Sequence, residues 1–418
     1  MISDIMAGKV DRTPDGAPLG IIREPQPKST QIMDIVFFTH PEFLGHVSMP
    51  RFSGMLIEGM QKRGHNVAVL SPKAKFVSLS KSKTAQKWLG YVDQYVVFPM
   101  AVKRQLKSYP ANTLFVFTDN ALGPWVPLVA NRHHVIHCHD FMAQESALGK
   151  IVENPTRWTG RQYQKLIANG YCKGKNFISG SENTRRVLQN FLTREPLRSE
   201  LVFNGLHQSF EQFEPGISRT VIGKEFGLDL SDGYLLHVGG NQWYKNRCGV
   251  VEMYDAWRSR SSMRLPLLLI GQPPSEDLMA TYSKSPYKAD IHFVTNAKDR
   301  IMNLAYSGAS VFLFPSKAEG FGWPVAEAMA SGCPVVVTNE APMTEVAGSA
   351  GFLIPRKPTL DSLTAGWAAE AGAVIEKVLT LTYAERQAAI DAGLMNAKRF
   401  DTEEALNKIE KIYLDILK

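Results

Sequence analysis

Residues 312–334 read FLFPSKAEGFGWPVAEAMASGCP, and this stretch decides the fold. The apolar run 312–315 is typical of a buried strand, and Gly320 and Gly322 follow it in a loop. Pro324 then lies in the first turn of the expected helix, where proline interrupts no helical hydrogen bond. A strand, a glycine-rich loop and a helix in this order predict a pocket in which free N–H groups and the positive end of a helix dipole hold a diphosphate.

Two carboxylates bracket this loop: Glu319 lies within it, and Glu327 lies about one turn into the helix. Carboxylates accept hydrogen bonds from paired hydroxyl groups, which suits the two positions to binding a sugar and a ribose. The alternative is that Glu319 is an ordinary loop anion and that Glu327 only interacts favourably with the helix dipole. The strand, loop and helix around them favour the ligand-binding role.

The same alternation of apolar and amphipathic segments extends to both sides of this stretch. Before residue 204, the apolar runs that predict strands are 34–39, 66–71, 114–118, 135–139 and 176–179. After a turn-rich stretch at 204–232, the corresponding runs are 235–238, 267–270, 291–294, 311–315 and 334–338. Strands that alternate with helices predict parallel sheets covered on both faces, so we expect two α/β Rossmann-like domains.

The predicted division of the 418 residues follows from this repeat. Residues 1–31 are rich in Pro, Gly and polar side chains and are expected to form a flexible leader, without the apolar segment of a signal peptide. The N-terminal, acceptor-side domain is expected over 32–204 and the C-terminal, donor-side domain over 205–400. Residues 401–418 have apolar side chains at helical spacing and are expected to pack back on the lobes. We find no run of about 18 apolar residues that would predict a membrane-spanning helix.

The charge of the chain is unevenly distributed between the two domains. Residues 32–204 contain 22 Lys and Arg against 11 Asp and Glu, whereas residues 205–418 contain 21 against 25. A basic first lobe suits an anionic partner, such as a lipid surface contacted by Lys73, Lys75, Lys81, Lys83 and Lys87; solubility alone is the alternative. Nucleic acid is not expected as a partner, because no recognisable binding module interleaves the basic residues with aromatic ones.

The four cysteines, Cys138, Cys172, Cys248 and Cys333, are widely separated and show no pairing pattern. This predicts a reducing compartment and no structural disulfide bonds. Together with the basic lobe, it favours a cytoplasmic protein that contacts the inner face of a membrane.

A second stretch, residues 235–247, reads LLHVGGNQWYKNR. A strand ends at Gly239 and Gly240, and a helix is expected to begin near Arg247, which again creates a geometry that receives phosphate. Lys245 is placed to neutralise the charge that develops on a leaving diphosphate. The alternative is a turn lysine exposed to solvent.

A third stretch, residues 131–141, reads NRHHVIHCHDF. His137 and His139 share one face of the expected strand, and Asp140 follows at its carboxyl end. A zinc site is not predicted, since no second pair of ligands with metal-binding spacing occurs in the chain. Buried core histidines are the remaining alternative to a functional role.

The arrangement of Glu319 and Glu327, separated by seven residues within PSKAEGFGWPVAEAMASGCPVV, resembles the signature of retaining GT-B glycosyltransferases of family four, also called group 1. The resemblance extends over most of residues 33–355. It implies an α/β fold of GT-B architecture, with two Rossmann-like domains that face each other across a cleft. It also implies that the nucleotide-sugar donor binds in the C-terminal domain.

The resemblance further implies roles for individual residues. Glu319 contacts the hydroxyls of the donor sugar, with Gly320, Phe321 and Gly322 beside it, and Glu327 holds the ribose hydroxyls. His139 touches the donor sugar from the acceptor lobe, and Asp140 orients that loop or the acceptor.

In the same family, a lysine such as Lys245 stabilises the leaving diphosphate, usually with an arginine directly after the strand glycine. This sequence has Gly240 and Asn241 there, and the resemblance leaves open whether Arg247 substitutes. Two other expected contacts with the donor come from Gly45 and from backbone near Val294. The loop of Gly45 has His46 where the family has a second glycine.

The implied function is retaining, metal-independent transfer of a hexose from a nucleotide-diphosphate donor, with UDP- or GDP-sugar favoured, to a glycan, lipid-linked or small-molecule acceptor. No cofactor is expected, and polysaccharide assembly is the favoured context. Three alternatives remain at this point. A glycoside hydrolase would cleave glycosides without any nucleotide. A sugar-nucleotide epimerase of the same fold would convert the donor without an acceptor. A non-catalytic protein would bind the donor and catalyse no reaction.

Overall fold

The structure is a computed structural model that describes residues 31–45, 48–206, 210–295 and 297–418. The predicted leader up to residue 30 lies outside the described residues, as do His46 and Asn296. The predicted fold class is confirmed, because the chain forms two six-stranded parallel sheets, each covered by helices.

The first sheet has the strand order β2-β1-β3-β4-β5-β6. Its strands are β1 (Asp34–Phe38), β2 (Asn66–Leu70), β3 (Leu114–Phe117), β4 (His134–Cys138), β5 (Asn176–Ser179) and β6 (Arg198–Leu201). Every residue of β3, β4 and β5 is buried, as expected for strands that helices cover on both faces. The connecting helices are α1 (Ser48–Lys62), α2 (Lys83–Val92), α3 (Phe98–Gln105), α4 (Met142–Ala147), α5 (Trp158–Tyr171) and α6 (Glu182–Phe191).

The second sheet has the strand order β12-β11-β10-β7-β8-β9. Its strands are β7 (Leu235–Gly239), β8 (Leu267–Gly271), β9 (Ile291–Thr295), β10 (Val311–Phe314), β11 (Val335–Thr338) and β12 (Phe352–Ile354). Its helices are α7 (Pro215–Phe226), α8 (Arg247–Arg258), α9 (Glu276–Lys284), α10 (Asp299–Gly308), α11 (Trp323–Ala330), α12 (Met343–Ala347), α13 (Thr364–Leu379) and α14 (Tyr383–Ala397). This order is that of a doubly wound nucleotide-binding sheet.

Two of these strands, β6 and β12, were not predicted from the sequence. Both are outermost strands of their sheets. The β6 sequence RSEL has one apolar residue, and β12 is only three residues long, so neither strand produces an apolar run.

The last helix, α15 (Thr402–Leu417), packs on the first domain although it follows the second in sequence. The Tyr413 hydroxyl lies 2.7 Å from Nε2 of His137, and Arg63 pairs with Glu403 at 2.8 Å. The apolar face of α15 joins a buried cluster with strands β1, β3 and β4 and helix α1. The helix therefore completes the core of the first domain.

The chain passes between the domains twice, and the two passages lie side by side. The N–H of Leu206 donates to the carbonyl oxygen of Phe400 at 3.0 Å, and the Thr402 hydroxyl donates to the carbonyl oxygen of Leu206. A Cβ added at Gly205 would lie 2.7 Å from Cα of Thr402. The passages are thus in direct contact, and glycine at position 205 permits their close approach.

Among the described helices, none is both long and apolar enough to cross a bilayer.

Candidate active site

The candidate site lies where the strand order of the second sheet reverses. Strands β7 and β10 are neighbours, but the strands that follow them in sequence lie on opposite sides of this pair. Their connections therefore diverge and leave a crevice at the carboxyl ends, which is where doubly wound sheets bind ligands. The loop after β7 carries Lys245, and the loop after β10 carries Glu319.

These two predicted residues form an ion pair. Nζ of Lys245 lies 2.7 Å from Oε1 of Glu319, and the Ser316 hydroxyl donates to the same oxygen at 2.8 Å. The side chains of Lys245 and Glu319 are only 14% and 7% exposed. A cation and a carboxylate are therefore held together in a crevice that is largely shielded from water, where opposite charges attract each other more strongly than at an exposed surface. Ser316 was missed by the sequence reasoning although it lies three residues before Glu319.

Glu327 is held by a residue that the sequence did not single out. The buried Tyr306 hydroxyl donates to Oε2 of Glu327 at 2.8 Å. Burial and the neighbouring Glu327 carboxylate raise the pKa of Tyr306, so its hydroxyl keeps its proton and remains a donor. Tyr306 fixes one oxygen of the carboxylate that was predicted to bind ribose.

The two glycines of the loop before α11 are required for different structural reasons. Gly322 caps the helix with φ of 105°, a left-handed conformation that favours glycine. A Cβ at Gly320 would lie 2.4 Å from the carbonyl oxygen of His139, which belongs to the first domain. Glycine at 320 therefore allows the two domains to meet beside Glu319.

Phe321 has its side chain in the core rather than in the crevice. It is 4% exposed, and its ring centroid lies 5.4 Å from that of Phe400 and 6.4 Å from that of Phe203. Only its backbone remains to contact a donor, although the sequence grouped the residue with the donor-binding loop.

Arg247 is the first residue of α8 and is 5% exposed. Its Nη1 donates to Oδ1 of Asn241 at 2.6 Å and to the carbonyl oxygen of Gln272 at 2.9 Å. Its Nε and Nη2 atoms have no hydrogen-bond partner in the described part of the chain. Burial lowers the pKa of Arg247, because the cation is partly removed from water.

Gly239 is the last residue of β7, and Gly240 follows it in the loop that leads to this arginine. A Cβ at Gly239 would lie 2.9 Å from Nε2 of His237, and a Cβ at Gly240 would lie 2.5 Å from Oε1 of Gln242. The backbone here is closely packed by polar side chains, which leaves no room for a larger residue without a shift.

His139 points its ring into the first domain. Its Nε2 lies 2.9 Å from the carbonyl oxygen of Thr118, and its ring packs edge-on against Phe52 at 4.4 Å. Burial lowers the pKa of His139, so the ring is neutral, and Nδ1 has no partner among the described residues. The part of His139 that meets the donor-side loop is its backbone carbonyl, next to Gly320.

Asp140 is the side chain of this segment that lies against the donor-side loop. A Cβ at Gly320 would lie 3.1 Å from Cβ of Asp140, whose Oδ1 accepts from the N–H of Met142 at 3.1 Å. Burial, with added repulsion from Asp119 and Glu319, raises the pKa of Asp140 to about 6. Asp140 therefore shares the electrostatic environment of Glu319.

The two remaining predicted donor contacts lie at the edges of this region. Gly45 ends a short 3-10 helix with φ of 65° and faces open space. Val294 is buried in β9, so its backbone alone is available to a base. Nε2 of His40, five residues before Gly45 in sequence, lies 2.8 Å from Oδ2 of Asp119, a half-buried contact that the sequence did not indicate.

Other histidines of the third stretch have structural partners. His137 contacts Tyr413, and Nε2 of His134 accepts from the N–H of Lys175 at 3.1 Å. Within the described ranges, no group of three or more His, Cys, Asp or Glu side chains is arranged to hold a metal ion.

The two α/β domains have the GT-B fold, and part of the second domain matches a family of glycosyltransferases. Residues 232–369, which carry Lys245, Glu319 and Glu327, match the family described as Glycosyl transferases group 1. The resemblance noted in the sequence is therefore confirmed.

Individual relatives agree with this classification. A segment of 183 residues is 30% identical to the O-antigen chain mannosyltransferase B of Escherichia coli, over 43% of this chain and 45% of that protein. The chain spans about half the length of the curated relatives it matches.

Two solved structures share the fold across both domains. WaaG, a glycosyltransferase involved in lipopolysaccharide biosynthesis, matches with a TM-score of 0.68 at 17% identity, over 90% of this chain and 99% of that one. HepE of Anabaena, solved in complex with UDP and glucose, matches with a TM-score of 0.66 at 15% identity, over 91% and 99%.

Proposed function

We propose that this protein is a retaining, metal-independent glycosyltransferase that moves a hexose from a UDP- or GDP-sugar to a glycan or lipid-linked acceptor. The observation that carries the proposal is the buried Lys245–Glu319 pair in the crevice between β7 and β10. The complex of HepE with UDP and glucose supports a nucleotide-sugar donor. The names of the mannosyltransferase and of WaaG support a glycan or lipopolysaccharide acceptor.

In the proposed reaction, the bond between the sugar C1 and the diphosphate oxygen breaks as the acceptor oxygen bonds to C1 on the same face. Negative charge develops on the diphosphate, where Lys245 and the unused donors of Arg247 stabilise it. The acceptor proton passes to the leaving phosphate oxygen, so the step balances without a protein base. Glu319 binds the sugar hydroxyls, and Glu327, fixed by Tyr306, binds the ribose.

The first test is thermal stabilisation by UDP, GDP and ADP, each with and without EDTA. A ligand that binds only the folded protein raises the melting temperature. We expect UDP or GDP to raise it equally with and without EDTA, followed by transfer from the matching nucleotide sugar to added glycan acceptors. Loss of the shift in EDTA would contradict metal independence.

Product assays with glycosides and nucleotide sugars separate the alternatives. Release of free sugar from a glycoside without nucleotide would indicate a hydrolase, and conversion of the donor without acceptor would indicate an epimerase. Binding without any turnover would indicate a non-catalytic protein.

We further propose that an exposed surface of the first domain contacts an anionic membrane at its cytoplasmic face. The apolar side chains of Phe76, Leu79 and Trp88 are 41%, 75% and 59% exposed. Exposed lysines lie beside them in the sequence, namely Lys73, Lys75, Lys81 and Lys87. Apolar side chains within a basic surface are typical of proteins that lie on anionic lipid.

The loop that carries Phe76 is held in a defined conformation. The buried carboxylate of Asp93 accepts from the N–H groups of Lys75, Phe76 and Val77 at 2.9–3.1 Å. This loop follows β2 at the carboxyl edge of the first sheet, which is the edge where ligands bind. A lipid-linked acceptor at this surface would therefore lie near the cleft.

Flotation with vesicles tests this contact. We expect the protein to float with vesicles that contain anionic lipid and not with neutral ones, and Trp88→Ala to weaken flotation severalfold. Leu363→Ser, which removes an exposed apolar side chain of the second domain, is the matched control. Equal flotation with neutral vesicles would contradict the electrostatic part of the proposal.

A further inference from the structure

The second domain binds the N-terminus of helix α6, which belongs to the first domain. The N–H of Glu182 donates to Oε2 of Glu345 at 2.7 Å, and the N–H of Asn183 donates to Oε1 at 2.8 Å. Glu345 lies on α12 in the second domain. A carboxylate from one domain thus binds the first two N–H groups of a helix in the other, at the positive end of its dipole.

Two buried hydroxyls of the same helix end reach both halves of the candidate site. The Ser181 hydroxyl donates to the carbonyl oxygen of Gly320 at 2.9 Å, and the Thr184 hydroxyl donates to the carbonyl oxygen of His139 at 3.0 Å. The side chain of Ser181 also caps the helix by accepting from the N–H of Thr184 at 3.1 Å. Ser181 and Thr184 are buried, so these bonds are shielded from water.

The two carbonyls belong to the loops that carry the chemistry. His139 directly precedes Asp140 on the acceptor side, and Gly320 directly follows Glu319 on the donor side. Because a hydrogen bond fixes heavy atoms to within a few tenths of an ångström, the pair of hydroxyls sets the separation between these two loops.

A separate ion pair crosses the cleft at another point. Nη2 of Arg356 in the second domain lies 2.6 Å from Oε1 of Glu153 in the first. Nε of Arg356 also donates to the carbonyl oxygen of Lys317 at 3.1 Å, so this ion pair is a second bridge between the first domain and the donor-side loop. It does not contact the carbonyl oxygens of His139 and Gly320, which Ser181 and Thr184 bind.

We propose that helix α6 aligns the two halves of the site: Glu345 docks on its N-terminus, and Ser181 and Thr184 then fix the loop of Asp140 against the loop of Glu319. Ser181, Thr184 and Glu345 are positioning residues, since they act through these loops and not on substrate. The inference rests on the proposed glycosyl transfer for its catalytic consequence. Its structural consequence, closure of the two domains, does not depend on that function.

The catalytic test compares Thr184→Val with Thr184→Ser. Valine keeps the branched shape but removes the hydroxyl, whereas serine retains it. We expect Thr184→Val to lower kcat by about 10-fold or more, with the donor KM changed less than about twofold, and Thr184→Ser to recover most of the rate. The donor KM is spared because the residues proposed to bind the diphosphate and the ribose, namely Lys245, Arg247 and Glu327, lie in the second domain.

The structural test is small-angle X-ray scattering of the full chain without ligand. Glu345 is half-buried, and its replacement by alanine leaves the cores of both domains intact. We expect Glu345→Ala to increase the radius of gyration relative to wild type. Glu370→Ala, which removes an exposed carboxylate from α13 of the same domain, serves as the matched control and leaves the radius unchanged.

The outcomes separate this inference from the proposed function. If the wild type transfers no sugar from any nucleotide donor, the proposed function fails, while scattering still decides whether Glu345 closes the domains. An unchanged radius of gyration in Glu345→Ala overturns the role of α6 in closure. Equal kcat in Thr184→Val and wild type overturns the positioning role.

Discussion

At the scale of single residues, the candidate site depends on charges that the protein has removed from water. Lys245 and Glu319 neutralise each other. Among the described residues, Nε and Nη2 of Arg247 have no hydrogen-bond partner. Repulsion from Glu319 contributes to the raised pKa of Asp140. A buried charge without a partner lowers the free energy of unfolding, and a bound ligand of opposite charge supplies the missing interaction. Two predictions belong to this scale.

Replacing Glu319 by alanine should lower the transfer rate by about 100-fold or more, because the carboxylate that orients the sugar is lost. The melting temperature should fall by far less than would prevent folding, since Glu319 lies in a loop and Lys245 can reach water once unpaired. Transfer kinetics and thermal unfolding of the same preparation measure both effects.

Glu370→Ala is the control for this substitution, because it removes an exposed carboxylate far from any contact described for the site. Unchanged turnover in Glu319→Ala would exclude the assigned role.

Replacing Asp140 by asparagine should raise the melting temperature at pH 7.5, because the variant no longer buries a carboxylate next to Glu319. The pKa of Asp140 is raised from 3.8 to about 6, so its ionisation destabilises the folded state once the pH rises through about 6. Below that value the wild type regains this stability, which is complete below about 3.8. The gain from the variant should therefore shrink between about pH 6 and pH 4, as thermal unfolding at several pH values will show. A gain that is independent of pH would contradict the assignment.

At the scale of elements, the sequence predicted what depends on local pattern. Apolar runs predicted the buried strands, and the glycine-rich loops after β7 and β10 were identified because parallel strands bring chemistry to their carboxyl ends. The residues that sequence reasoning missed, among them Tyr306, Glu345 and Thr184, act on partners far away in the chain. No spacing within a helix reveals that its N-terminus will meet a carboxylate 163 residues later.

The ring of His139 illustrates the same limit. Its place at the end of β4 followed from the sequence pattern, but its direction depends on Thr118 and Phe52, which come from other elements. The direction of a side chain at a strand end is set by the packing of its neighbours, which a one-dimensional pattern does not contain.

Gly320→Ala tests the contact between the loop after β10 and the loop after β4. The added Cβ would lie 2.4 Å from a backbone oxygen, which must move for both domains to meet. We expect transfer to fall by about 100-fold, while UDP or GDP still raises the melting temperature. Gly366→Ala is the control, since nothing lies within 4 Å of the Cβ added at that exposed position of α13. Wild-type transfer in Gly320→Ala would contradict a close approach of these loops during catalysis.

At the scale of the whole molecule, the two domains are not independent units joined by one linker. The last helix belongs to the core of the first domain, so that core is complete only when residues 402–417 have packed onto it. The repeated alternation of strands and helices predicted two sheets. It did not predict which domain the last helix would pack on, since an amphipathic helix can pack on either one.

Tyr413→Phe tests this completion. Burial lowers the pKa of His137 to about 3, so its neutral ring keeps Nε2 paired with the Tyr413 hydroxyl inside the core. Removing the hydroxyl leaves that nitrogen without its partner, at a cost of about 1–3 kcal/mol. Thermal or urea unfolding should show this loss, and Tyr383→Phe, at a position 87% exposed, should show none. Equal stability of the two variants would contradict a structural role for the contact.

The double passage of the chain between the domains has a mechanical consequence. A single flexible strand would let one lobe swivel in any direction relative to the other. Two passages bonded to each other through Leu206, Phe400 and Thr402 must bend together, which reduces the directions in which the two domains move relative to each other. Each opening of the cleft should then follow fewer paths, which favours the return of the loops of Asp140 and Glu319 to the same register after every turnover.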